Sequence, residues 1–149
     1  MAETSARITC RSASLDEILP LRQAVIIAGT DRDSPYFDGD ETESARHFAA
    51  LDGGRVIGCA SCYRTEHGGE HAWQLRGMAV DPEYRGRGIG KALLAFVEST
   101  LRSESDIRVL WCNARERAAE FYAKQGWRRE SGVFEIRGVG PHYRMVKTL

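Results

Sequence analysis

The chain has 149 residues, 42% hydrophobic and 28% charged, with a formal net charge of zero. That is the size of one domain, residues 1–149, long enough to bury a real core. The charge balance argues against nucleic acid as partner, because counterion release needs a basic excess. No apolar run approaches the roughly 20 residues that cross a bilayer, and the N-terminus lacks the apolar segment of a secretory signal. A cytoplasmic protein without a membrane partner is therefore the default expectation.

In chain order, Ile8–Arg11 reads as a short strand. Ser14 with Glu17 three residues on forms a capping box for a helix through about Ala28, which Pro20 either kinks or delays. Residues 29–43 are rich in Asp, Ser, Gly and Thr and read as loop. Tyr36 and Phe37 within it serve either to cover a site or to tie the loop to the core. His47–Leu51 and a strand from Val56 to Arg64 flank Asp52-Gly53-Gly54-Arg55, a hairpin turn signal. Cys59 and Cys62 look like a redox or zinc pair. Positions three apart on a strand face opposite ways, so two free, buried thiols are the better reading. Thr65–His71 reads as a polar loop. A metal site from His67, His71, Glu66 and Glu70 is disfavoured, because His-x3-His suits a helix face and Gly68-Gly69 marks a turn.

Chemistry enters at the next segment. Trp73–Val80 reads as a strand ending at Asp81-Pro82. Ile89, Ala92, Leu93, Phe96, Val97 and Leu101 then describe one apolar helix stripe. Between them stand Gly86, Gly88 and Gly90 with Arg85 and Arg87. A helix opening on a glycine-rich turn leaves its first N–H groups unpaired and points the positive end of its dipole outward, which suits a phosphate. The spacing is not that of a Walker A loop, since Lys91 is followed by Ala92, nor does it carry a dinucleotide fingerprint.

Asp106–Cys112 reads as the next strand. Asn113 with Glu116 forms a second capping box, opening a helix over about Arg115–Gln125 that Gly126 stops. Trp127–Arg137 and His142–Leu149 are two closing strands joined at Gly138–Pro141. The sum is an α+β layout, a mixed sheet packed with helices.

Arg85-x-x-Gly88-x-Gly90 after Met78-Ala79-Val80-Asp81-Pro82 resembles motif A of the GCN5-related N-acetyltransferase (GNAT) superfamily. Asn113-Ala-Arg-Glu-Arg-Ala-Ala-Glu-Phe121-Tyr122, closed by Gly126-Trp127, resembles its motif B, with Trp127 in place of the usual Phe. Gly140-Pro141-His142-Tyr143-Arg144-Met145 resembles the ending of ElaA-like members and of glucosamine-6-phosphate N-acetyltransferases. Leu21-Arg22 and Arg46-His47 are also similar to the ElaA-like group, a set of small bacterial proteins. The resemblance covers nearly the whole chain and implies a three-layer fold, its central sheet mixed but mostly antiparallel, with helices on both faces.

It also implies an acetyl-CoA-dependent N-acetyltransferase without a metal, acting on a primary amine that attacks directly. The strand matching Trp73–Val80 would splay from the one matching Ile107–Cys112 to admit the pantetheine arm. Main-chain groups of Met78, Ala79 and Val80 would pair with that arm, and an N–H near Met78 would polarise the thioester. The turn Arg85, Gly86, Arg87, Gly88, Ile89, Gly90 and Lys91 would hold the pyrophosphate. Tyr122 matches the general acid; it also fits a purely apolar role beside Ala118, Ala119 and Phe121. Asn113 is the N-cap, a ligand of the coenzyme arm, or both. Among candidate bases, Glu70, His71, Asp81 and His142, no spacing selects one. His142 and Arg76 are the acceptor-side candidates, though His142 equally suits a strand start and Arg76 equally suits a place facing the helices. The acceptor, a small molecule or a peptide, is not legible, and a homodimer is left open. Two rival classes are a non-catalytic acyl-CoA sensor of this fold and a nucleotide- or nucleic-acid-binding module using Arg85 and Arg87.

Overall fold

A computed structural model describes residues 7–149. Strand β1 (Ile8–Ala13) leads to helix α1 (Leu15–Arg22), whose start shows the expected reciprocal cap. Ser14 Oγ accepts from Glu17 N (3.3 Å), and Glu17 Oε1 accepts from Ser14 N (2.8 Å). The helix runs through Pro20 and widens after Arg22 into a π turn, Gln23–Ile27, where Ala28 N–H reaches back to Gln23 O (2.9 Å). The helix expected through about Ala28 thus reaches Ile27, with its last turn π instead of α, and Pro20 does not delay its start at Leu15.

Strands β2 (Arg46–Asp52), β3 (Arg55–His67) and β4 (Glu70–Val80) form an antiparallel meander. The expected loop over residues 65–71 is mostly strand. Only Gly68 and Gly69 turn, with φ of 60° and 83°, the geometry that matches a two-residue hairpin to strand twist. After a short 3-10 turn, Pro82–Tyr84, comes helix α2 (Ile89–Glu104). Strand β5 (Val109–Arg115) precedes a 3-10 turn, Glu116–Ala118, and helix α3 (Ala119–Lys124). Gly126 ends α3 with φ of 91° as expected, while Trp127 N–H returns to Tyr122 O (3.1 Å).

The N-cap reading of Asn113 is wrong. Residue 113 lies inside β5 opposite Arg144, because the long β8 (Gly140–Thr148) offers partners as far as Arg115↔His142, and the ladder outweighs a local cap. The first closing strand is also broken. β6 (Arg128–Arg129) and β7 (Phe134–Ile136) both pair with β8, and between them Glu130 N–H donates to Arg144 O (2.8 Å) while Ser131 Oγ accepts from Arg144 N (2.9 Å).

The sheet order is β1-β2-β3-β4-β5-β8-β6, with β7 also on β8. Every pairing is antiparallel except β4–β5, so the sheet is mixed and mostly antiparallel. The larger core packs Leu93, Leu94, Val97 and Leu101 of α2 and Tyr122 of α3 against Phe48, Ile57, Trp73, Leu110 and Met145. Ile18 of α1 packs the other face, with Ala49, Leu51, Cys59 and Ala79. Cys62 belongs to the larger core and Cys59 to the smaller, so the two thiols diverge across the sheet, both free and buried.

Candidate active site

Strands β4 and β5 are paired only at Trp73↔Leu110 and Gln74↔Trp111, and beyond those positions they part. The register of β3 against β4 shifts at the same place. Ser61 faces Arg76 and Cys59 faces Ala79, so Gly77 and Met78 together oppose Ala60. This is a bulge with Gly77 at φ +64°, and bulges of this kind free one residue from the ladder and re-aim the strand. A Cβ at Gly77 would lie 2.9 Å from Phe37 Cε2, so only glycine allows both the turn and the close approach.

A cavity of about 790 Å³ occupies the split. It draws on both faces of the sheet. Side chains alternate along a strand. The bulge shifts that alternation by one residue, so Met78 and Val80 face the α2–α3 layer with Tyr122, whereas Arg76 lies with Phe37 and Arg22 on the α1 side. Across the gap, Asn113, Arg115 and His142 share the α1 side, because Arg115 donates to Ile26 O (2.9 Å) and is paired with His142. The cavity thus joins two half-sites through the sheet.

One half-site is the start of α2. Gly88 is the N-cap, with φ of 78° and no capping side chain, so the first N–H groups keep no side-chain partner. A Cβ at Gly86 or Gly88 would meet nothing within 4 Å, leaving the backbone open to an approaching group. Gly90 serves packing instead, since a Cβ there would sit 3.4 Å from the Phe121 ring. Arg85 and Lys91 line the cavity beside these N–H groups; Arg87 does not, its guanidinium stacking on Tyr84 at 4.9 Å. Unpaired N–H groups, a helix dipole and two cations form an anion cradle.

At the constriction, Tyr122 is buried and its hydroxyl points at Met78 Sδ (3.7 Å). Burial, with Cys112 and Cys62 near, pushes the phenol well above its ordinary pKa and keeps it a neutral donor. A thioether is a weak acceptor, so this O–H is held beside the bulge without a strong partner.

The α1-side half-site contains the other anticipated residues. His142 is buried, and its Nδ1 lies 2.7 Å from Gly140 O, which makes Nδ1 the protonated nitrogen and Nε2 the free lone pair. Of the candidate bases, His142 alone lines the cavity. Asp81 instead caps the 3-10 turn through Glu83 N (2.9 Å) and pairs with Arg55 (3.1 Å), while Glu70 and His71 lie at the exposed hairpin tip. The Asn113 side chain accepts from Arg144 Nε (3.4 Å) on the face opposite Tyr122.

Sequence reasoning missed what supports this half-site. Arg22 has no exposed surface; it pairs with Asp40 (2.7 Å) and donates to Pro35 O (2.9 Å) and Ser61 Oγ (2.8 Å). Asp40 also accepts from Tyr63 OH and from Phe37 N (2.7 Å). The network pins the 29–43 loop, and Phe37 both ties the loop down and lines the cavity. The advance signals were the Leu21-Arg22 pair similar to the ElaA-like group and an aromatic pair in a polar loop; neither pointed to the buried ion pair. Tyr36, its neighbour, is exposed.

Residues 15–127 match the acetyltransferase (GNAT) family. The chain belongs to that family. The uncharacterized N-acetyltransferase YitI of Bacillus subtilis is 30% identical over 93% of this chain and 95% of its own length. Escherichia coli ElaA superposes with a TM-score of 0.79 at 21% identity, covering 94% of this chain and 99% of that one. Arabidopsis thaliana NAA60, solved in complex with acetyl-CoA, gives 0.74 at 18% identity, covering 95% of this chain and 98% of that one. Membership makes the chain an N-acetyltransferase. No described helix is long and apolar enough to cross a membrane.

Proposed function

We propose that the chain transfers an acetyl group from acetyl-CoA to a primary amine by direct attack. The observation that carries this reading is the continuous cavity, which runs from the uncapped start of α2, past Tyr122 and Met78, to His142 and Arg76. The α2 cradle fits a pyrophosphate in charge and in open backbone; Arg85 and Lys91 add to it. Acetyl-CoA supplies an acyl group already activated as a thioester.

The chain's own contribution is placement and charge. The edge of β4 at Met78–Val80, no longer paired to β5, offers main-chain donors and acceptors to the amides of the pantetheine arm. An N–H at the Gly77–Met78 bulge stabilises the negative charge that grows on the acetyl oxygen, and preorganised donors of this kind are worth about 3–4 kcal/mol. Tyr122 exchanges its weak Met78 sulfur contact for the departing sulfur and gives it a proton. His142 Nε2 takes the proton of the amine. Arg87 stays outside this scheme.

Calorimetric titration with acetyl-CoA, followed by a thiol-release screen over an amine panel, tests the reading. Binding and release for one amine class are expected. Absence of binding at millimolar acetyl-CoA would remove the proposal, and binding without release for any amine would favour a sensor.

A further inference from the structure

The cavity's charge is one-sided. Arg32, Arg76, Arg85, Lys91, Arg115 and Arg117 line it, and among the described residues no Asp or Glu does. The whole chain balances 21 basic against 21 acidic residues, so the excess is local and invisible in the composition. Arg85 and Lys91 belong to the α2 cradle. Arg32 and Arg76 lie against the Phe37 ring, at 4.9 and 4.4 Å from its centroid.

Arg76 is the informative one. Among the described residues it has no hydrogen bond and no ion pair; its guanidinium is held by stacking on Phe37 alone. Arg22, beneath the same ring, is in the opposite condition, with Asp40, Ser61 Oγ and Pro35 O around it. Asp40 is the nearby buried carboxylate, and both its oxygens are taken, by Arg22, Tyr63 and Phe37 N. It cannot neutralise Arg76 as well. Burial, together with Arg32 and Arg22, lowers the Arg76 pKa, as expected of a cation short of an anion. A half-desolvated guanidinium facing a cavity gains most from a planar or tetrahedral anion that it can grip with two N–H groups.

We infer that the acceptor is a small amine that also carries an anionic group, a carboxylate or a phosphate, and that Arg76 receives that group. The inference rests on the acetyltransferase reading of the same cavity. The positive lining has a second consequence. It disfavours an ammonium there, so the amine arrives at Nε2 of His142 more readily deprotonated. Polycationic amines and lysines in basic peptides are repelled by the same charges. Val25, Ile26, Ile136 and Val139, which line the same cavity, seat the carbon skeleton.

The test uses the full chain with acetyl-CoA and matched acceptor pairs. Glucosamine 6-phosphate is set against glucosamine, leucine against its methyl ester, and spermidine serves as the cationic probe. At least one anionic member is expected to exceed its neutral partner about tenfold or more in kcat/KM, since a site built for a polar group rejects the analogue lacking it. Which pair responds distinguishes phosphate from carboxylate. In Arg76→Gln that ratio is expected to collapse toward one through KM, with Arg76→Lys retaining part of it and the KM for acetyl-CoA unmoved. A loss equal for all acceptors, or wild-type preference for the neutral or cationic probes, would overturn the inference. Calorimetry of the same anionic amines on the CoA-saturated protein reads Arg76 without turnover. Binding lost in Arg76→Gln supports the inference even if no acetyl transfer occurs, and no binding with no turnover of any anionic amine refutes it. Failure of acetyl-CoA itself to bind would instead strike the acetyltransferase reading.

Discussion

Asp40→Asn is the perturbation whose consequence the structure constrains best. The Asp40 side chain is 2% exposed and that of Arg22 is 0% exposed, so neither charge can turn to water. Asparagine keeps the shape but leaves the Arg22 guanidinium buried and uncompensated, and breaking one half of such a pair costs about 3–5 kcal/mol. That is a large share of a typical folding free energy of about 5–15 kcal/mol. With a urea m-value of about 2 kcal/mol/M, the midpoint of unfolding is expected to fall by about 1.5–2.5 M. Burial opposes ionisation of Asp40, but hydrogen bonds from Arg22, Tyr63 and Phe37 N outweigh it and hold the carboxyl below its ordinary value. A depressed carboxyl stabilises the fold above its unfolded pKa and loses that contribution as pH falls through the folded value. The gap between wild type and variant should therefore be full at neutral pH and shrink only below about pH 4. Urea unfolding followed by tryptophan fluorescence, at pH 7 and again in acid, measures both. A midpoint shift under about 0.5 M at pH 7 would refute the claim that this pair holds the 29–43 loop.

Three further outcomes follow from the site. Tyr122→Phe should lower kcat by about 10²–10⁴ with little change in the dissociation constant of acetyl-CoA, read by thiol release and calorimetry; unchanged turnover would remove its role as proton donor. His142→Gln should lower kcat to a similar degree, about 10²–10⁴, while coenzyme binding persists, because Nε2 sits on the acceptor side. Gly88→Ala meets no neighbour within 4 Å but must adopt φ near 78°, so it should cost about 1–2 kcal/mol in thermal unfolding and weaken acetyl-CoA at the displaced N–H groups. A variant as stable as the parent would show that the turn does not need glycine there.

Much of this was legible along the chain because it is local. Ser14 and Glu17 cap α1, Gly126 stops α3, and the order of strand, glycines and apolar stripe around Gly88 identifies an anion cradle without any tertiary knowledge. Those signals depend on neighbours three or four residues apart. Asn113 shows the limit. Its capping pattern is real as a local preference, but β8 supplies seven paired positions along β5 and the ladder prevails. The same applies to the broken closing strand, where β6 and β7 take separate stretches of β8.

Sequence alone therefore indicated most of the element order, the glycine-rich turn before α2 and the family to which they point, since each is written in short-range spacing. Tertiary structure decided the rest of the site. Pairing of β4 with β5 at only two positions opens the cleft, and the Gly77 bulge brings Arg76 and Met78 to it from opposite faces of the sheet. Burial of Arg22 with Asp40, residues 18 apart, seats Phe37 and leaves Arg76 without a counter-ion among the described residues. Composition averages over the whole surface, and a cavity selects only the few charges that the fold turns toward it. A neutral chain thus encloses a cationic site.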